Sequence, residues 1–174
     1  MSDRLRSYLL PFFVVILIVL LDQLTKYWAM ERLFGQEDIT LLPGVFYLHF
    51  AANNGAAWSM FAGQRTVLLL MTVAALGLIF FVLHRGWVDT ALGRWGVWFV
   101  LGGAIGNFLD RAFREGGVVV DFLDFRLINF PIFNIADVFI TVGGVLFGIF
   151  VLQTALRDRH RDGNGGDSGD GHGD

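Results

Sequence analysis

Long apolar runs, most of them marked by one or two ionisable residues, set the pattern of this chain. The first covers about residues 9–30 and carries Asp22 and Lys26 in its second half. The second, about 66–83, contains no charged residue at all. The third, about 91–109, has Arg94 near its start, and the fourth, about 132–152, has Asp137 as its one ionised group. Each is close to the roughly 20 residues that a helix needs to cross a hydrocarbon core. The pattern therefore predicts a membrane α-helical fold with four transmembrane helices. The first run resembles a signal-peptide core, but no small-x-small cleavage site follows it, so it reads as an uncleaved span.

Two intervening segments read differently. Val45-Phe46-Tyr47-Leu48-His49-Phe50 is aromatic and β-branched and leads into Ala51-Ala52-Asn53-Asn54-Gly55, where Asn-Gly signals a turn. This predicts a small sheet at the membrane interface, with its aromatics against lipid headgroups. Residues 114–131 carry Gly116-Gly117 and then Val118-Val119-Val120-Asp121-Phe122-Leu123-Asp124-Phe125, too short and too charged to span. An even number of spans separates the two segments, so both belong at one membrane face. Residues 1–156 then form one transmembrane domain. Residues 157–174 hold Arg, Asp, Gly, Ser and His with no hydrophobe, and are expected to be a disordered cytoplasmic tail in which His160 and His172 bind no metal.

Composition agrees with the pattern: 55% of the 174 residues are hydrophobic. The net charge of −3 offers no nucleic-acid surface. Without cysteine, disulfides, thiol nucleophiles and Cys-ligated zinc are excluded. Arg4, Arg6, Arg85, Arg94, Arg157, Arg159 and Arg161 all fall on one side of a four-span arrangement, near the spans. That bias places both termini in the cytoplasm. The interfacial sheet, residues 114–131 and the span ends bearing Asp22, Asp110 and Asp137 then face outward together.

Acids in such surroundings are costly and call for a reason. Asp22 and Lys26 are four apart and share a helix face. A structural ion pair and a direct role at a site explain that spacing equally well. In Gly102-Gly103-Ala104-Ile105-Gly106-Asn107-Phe108-Leu109-Asp110-Arg111, the glycines admit a close neighbour while Asn107, Asp110 and Arg111 can face it. Asn134 and Asp137 repeat the Asn-x-x-Asp spacing at the start of the last run. Together these describe a polar cavity open to the outer face.

The chemistry available there is narrow. Ser59 has no nearby base, His49 and His84 fall on opposite sides, and no HExxH or three-His pattern occurs. Carboxylates remain: one can activate water while a second, protonated, holds a carbonyl oxygen. Asp137 is one candidate, and Asp121, Asp124 and Asp110 compete for the other place on spacing alone. A transporter or scaffold would string charges through the membrane depth, whereas these cluster at one end. A lipid-directed hydrolase stays open as a second enzymatic reading.

Five segments in order resemble bacterial lipoprotein signal peptidase, the signal peptidase II family. They are Asp22-Gln23-Leu24-Thr25-Lys26, Asn54-Gly55-Ala56-Ala57-Trp58-Ser59, the Gly102–Arg111 run, Val119-Val120-Asp121-Phe122 and Phe133-Asn134-Ile135-Ala136-Asp137. In the second, the family pattern is Asn-x-Gly-Ala-Ala-Phe-Ser, so Asn54 adjoining Gly55 is a departure, as is Trp58 for Phe. The resemblance implies four transmembrane helices with a β-structured cradle at the outer, periplasmic face. It implies an aspartyl dyad of Asp121 and Asp137, with Asp22, Lys26, Asn54, Gly55, Asn107, Asp110, Arg111 and Asn134 lining or bracing the site. It further implies an inner-membrane endopeptidase, needing no metal or other cofactor. Its substrates would be prolipoproteins, cut just before a diacylglyceryl-modified cysteine whose acyl chains stay in membrane lipid. The cyclic peptide globomycin would inhibit it, and a monomer would suffice.

Overall fold

Four helices coincide with the four apolar runs. They are α1 (Asp3–Leu33), α2 (Arg65–His84), α3 (Ala91–Phe113) and α4 (Ile135–Gly165). The structure, a computed structural model, describes residues 3–56 and 60–165, with backbone alone for 3–8 and 160–165. Ala57, Trp58 and Ser59 of the second motif, the His160 side chain and His172 lie outside the described residues.

Among the described residues, three helices are long and apolar enough to cross a membrane: Leu9–Leu33, Arg65–His84 and Ile135–Arg159. The expected third span, α3, has the length but not the hydropathy, because Arg94, Asn107, Asp110, Arg111 and the glycines at 93, 96, 102, 103 and 106 dilute its apolar content. Those same glycines make α3 the helix against which the others pack. A Cβ on Gly96 would lie 2.7 Å from the backbone nitrogen of Phe147, and one on Gly103 would strike the carbonyl oxygen of Ala136. On the α4 side, a Cβ on Gly143 would lie 2.6 Å from the carbonyl oxygen of Gly96. Helices α3 and α4 thus meet backbone to backbone, as small residues permit. Gly102 makes room for the Ile18 side chain of α1. Outward-facing side chains such as Leu10, Leu17, Leu70 and Phe80 are at least 60% exposed, a surface suited to lipid and not to water.

Helix α4 continues through Gly165, past the expected boundary at residue 156. Extending a formed helix adds a hydrogen bond per residue without a new nucleus, and arginine is a good helix former. The stretch 157–165 is therefore helical where an irregular tail was expected.

The small sheet is present and has three antiparallel strands in the order β1 (Ile39–Leu42), β2 (Phe46–Asn53), β3 (Val119–Phe125). Val120 and Phe122 of β3 pack with Ala29 and Leu33 at the end of α1, flanked by Leu48, Phe50 and Ile135. This apolar contact fixes the sheet on the helix ends. The chain then passes beside β3 once more, where Phe133 and Leu123 exchange backbone hydrogen bonds of 3.0 and 2.8 Å. Directly after that bridge, α4 begins.

Candidate active site

The bridge delivers Asn134 to the start of α4 next to β3. Asn134 Oδ1 accepts the backbone N–H of Asp137 at 3.0 Å, and Asp137 Oδ2 accepts that of Asn134 at 3.1 Å. This is a reciprocal cap in which each residue satisfies an otherwise orphaned donor of the helix start. The cap leaves the Asn134 amide free to point sideways. Its Nδ2 donates to Asp121 Oδ1 at 2.6 Å and to Asn107 Oδ1 at 3.2 Å. Asn107 Nδ2 in turn donates to Asp137 Oδ1 at 2.7 Å. Two carboxylates from different elements therefore share one pair of asparagines.

The two acids sit in unlike surroundings. Asp121 is 2% exposed, while Asp137 is only half-buried. Burial pushes the Asp121 carboxyl up to about 6, and the neighbouring Asp137 charge adds to the rise. Amide donors from Asn53 and Asn134 oppose it by stabilising the ionised form. One carboxylate reaching solvent and one held back from it is an arrangement suited to sharing a single proton.

Behind this pair lies a charged frame with no solvent access. Lys26 Nζ is 2.8 Å from Asp22 Oδ2 and 2.8 Å from Asp110 Oδ2, and donates to Asn107 Oδ1 at 2.9 Å. All three ionised side chains have zero exposure. Asp22 Oδ1 also accepts the Ala136 N–H at 2.9 Å, tying α1 to the first turn of α4. Burying such a cluster is expensive unless every member is paired, and here each is. Gln23 Nε2 donates to Asp22 and Asp110 at 3.1 Å each, and Arg114 Nε meets Asp110 Oδ1 at 2.7 Å. Neither Gln23 nor Arg114 was singled out from the sequence. The four-residue spacing of Asp110 and Arg114 was the signal available for the latter.

Arg111 turns away from that frame. Its Nη2 donates to the Gly55 carbonyl at 2.8 Å, holding the turn after β2 against α3. In that turn the expected site residue Asn54 is exposed, and Asn53 occupies the working position instead. Asn53 Nδ2 donates to Asp121 Oδ2 at 2.9 Å, and its Oδ1 accepts the Gly55 N–H at 2.9 Å. Strand alternation explains the choice. Asn53 is the last residue of β2, two along from Ala51, which pairs with Asp121, so their side chains share a face. Asp124 is three residues from Asp121, an odd offset that sends it to the other face, where Arg126 Nε meets it at 2.6 Å.

Similarity to known proteins decides among the chemistries this pair could serve. Residues 14–153 match the family described as signal peptidase (SPase) II. The chain belongs to the signal peptidase II family. It is 41% identical over 143 residues to the lipoprotein signal peptidase of Trichormus variabilis, covering 80% of this chain and 87% of that one. With that of Gloeobacter violaceus the identity is 46% over 147 residues, covering 82% and 81%. The fold superimposes on a bacterial membrane enzyme solved by the in meso method at 2.3 Å, with a TM-score of 0.74 and 26% identity over 93% of this chain and 94% of the other. For this signal peptidase II family member, the pattern Asn-x-Gly is met without departure once Asn53 takes its first place and Asn54 its variable one.

Proposed function

We propose that the chain is an aspartic endopeptidase of the bacterial membrane that removes signal peptides from lipoprotein precursors. Family membership over residues 14–153 supports the activity. The observation that carries the mechanism is the pairing of Asp121 and Asp137 through Asn134 and Asn107. In this reading one carboxylate of the pair is ionised and takes a proton from water, which attacks the scissile carbonyl carbon. The other is protonated and donates to the carbonyl oxygen as negative charge develops there. The proton belongs to the pair, and burial of Asp121 favours the protonated form of its carboxyl. The Asn134 side chain, already committed to both acids, keeps their geometry fixed through the reaction.

The substrate is a prolipoprotein whose cysteine carries a diacylglyceryl group. Its acyl chains remain in lipid and its apolar signal helix lies against α3 and α4. All four helices cross the membrane, α3 included, since packing among the others shields its glycines and polar groups. Both termini are cytoplasmic, the sheet and the acid pair lie near the periplasmic face, and the enzyme works as a monomer that globomycin inhibits.

The test is a cleavage assay with purified protein and a lipidated, signal-bearing peptide. Asp121→Asn and Asp137→Asn should each lose activity by about 100- to 10,000-fold, the range for removing an acid–base group. Full cleavage by either variant would sink the dyad. Equal cleavage of an unlipidated peptide would sink the substrate assignment.

A further inference from the structure

Arg65 opens α2 and lies outside every motif that the family resemblance assigns to the site. Its guanidinium is nevertheless turned toward the end of α3. Nε donates to the carbonyl of Arg111 at 2.7 Å and Nη2 to that of Ala112 at 2.8 Å. These carbonyls lie in the last turn of α3, where no intrahelical donor reaches them and a cation also opposes the helix dipole. The stem of the same side chain crosses the backbone of Gly117. A Cβ there would strike Arg65 Cδ and stand 2.7 Å from its Nε. Gly117 also has φ of +66°, a left-handed conformation that L side chains rarely adopt.

One of these contacts leads to the acid pair through hydrogen bonds and the other along the chain. Arg111 is the residue whose guanidinium holds the Gly55 carbonyl, and Gly55 donates its N–H to Asn53, the amide partner of Asp121. Gly117 ends the turn that feeds β3, four residues before Asp121. One side chain therefore braces two of the three segments that set the Asp121 carboxylate.

We propose that Arg65 is a positioning residue for the acid pair, acting through the Arg111 backbone and the Gly117 turn. It touches neither carboxylate. Lysine at this place supplies a point charge that meets one carbonyl and not the planar fork that meets two. The inference rests on the proposed endopeptidase activity, since kcat is read from cleavage.

The experiment compares the parent, Arg65→Ala, Arg65→Lys, Gly117→Ala and the Arg65→Ala/Gly117→Ala double variant, with the lipidated peptide as substrate. Arg65→Ala should lower kcat by about tenfold or more with KM within roughly twofold, since small misplacements of reacting groups are costly. Arg65→Lys should fall between it and the parent. Gly117→Ala displaces the Arg65 stem and should lower kcat as well. The double variant should lose less than the product of the two single losses, because Gly117→Ala acts partly by displacing the stem that Arg65→Ala removes. Amide hydrogen exchange over residues 111–121 should rise in Arg65→Ala whether or not the peptide is cleaved. A parent that does not cleave the peptide would sink the activity and leave the exchange result to decide the brace. Unchanged kcat with unchanged exchange in folded Arg65→Ala overturns the proposal, as do losses that multiply in the double variant. If Arg65→Ala does not fold, unchanged kcat in both Arg65→Lys and Gly117→Ala overturns it.

Discussion

Asn134 and Asp137 each cap the other: the side chain of one accepts the backbone N–H of the other, at 3.0 and 3.1 Å. The start of α4 and the acid pair are consequently the same structure. A residue that ends an extended segment and begins a helix has two sets of neighbours, and Asn134 uses both, α4 through its oxygen and Asp121 through its nitrogen. The two duties separate by substitution. Asn134→Ser keeps a capping oxygen but loses the amide that reaches Asp121. It should retain thermal stability within about 1 kcal/mol while losing cleavage by tenfold or more. Asn134→Ala should lose both. Equal stability of Ser and Ala variants in thermal unfolding would contradict the capping role.

The turn after β2 gives a contrast between adjacent residues of identical type. Asn53 bonds Asp121 and Gly55, whereas Asn54 is exposed. Asn53→Ala should lower kcat by roughly tenfold, as loss of a hydrogen bond of about 1.5 kcal/mol to a charged group predicts. Asn54→Ala should leave it within about twofold, because the removed amide faces solvent. Steady-state cleavage by the two variants under one condition checks this, and a larger loss from Asn54→Ala would reverse the assignment.

Asp121 ties stability to pH. Its carboxyl ordinarily titrates at 3.8 and in the fold is pushed up to about 6, chiefly by burial. Between those values the folded chain holds a proton that the unfolded chain has released. Stability therefore falls as pH rises through this window and levels off above about 6. The full effect is about 3 kcal/mol, from 1.36 kcal/mol per unit of difference. Thermal unfolding in detergent should show this slope in the parent, and Asp121→Asn should lack that component. A cleavage reaction that needs one proton on the pair should likewise decline as pH rises beyond about 6. An unfolding curve for Asp121→Asn with the parent's full pH dependence would place the titration elsewhere.

Lys26 carries the largest expected penalty. Among the described residues it is the one cation that reaches both Asp22 and Asp110, with no exposure on any of the three. Lys26→Met keeps the apolar stem and removes the charge, leaving two buried carboxylates facing each other. The loss should be about 3–5 kcal/mol, the range for breaking a buried pair at one partner. Arg114 continues to meet Asp110 in that variant, so Asp22 is the acid left with least compensation. Thermal unfolding that matched the parent would show that the frame is not held by charge.

Much of this protein was legible before any coordinates. The lengths of the apolar runs located the four helices, because a hydrocarbon solvent leaves few ways to satisfy a backbone and demands long apolar runs. The spacing of Asp22 and Lys26 foretold a shared helix face, and that pair bonds as its spacing requires, whereas Asn134 and Asp137 meet as a reciprocal cap because α4 begins at Ile135. Family motifs singled out Asp121, and its odd offset from Asp124 shows why the neighbouring acid faces the other way.

Other features depended on the tertiary structure. Residues as distant as Asn53 and Asp121, or Arg65 and Arg111, meet through strand register and helix packing, and no local pattern encodes a register. The choice of Asn53 over Asn54 turned on which of two adjacent side chains the pleat aims at β3. The reach of α4 to Gly165 is not legible in composition, which reports what is soluble and not how far a formed helix propagates. The sequence by itself determined which residues could carry the chemistry and which segments lipid would accept. Only the folded chain decided which of those residues meet, Asp121 and Asp137 through one pair of asparagines, since that depends on distance and burial between segments far apart along it.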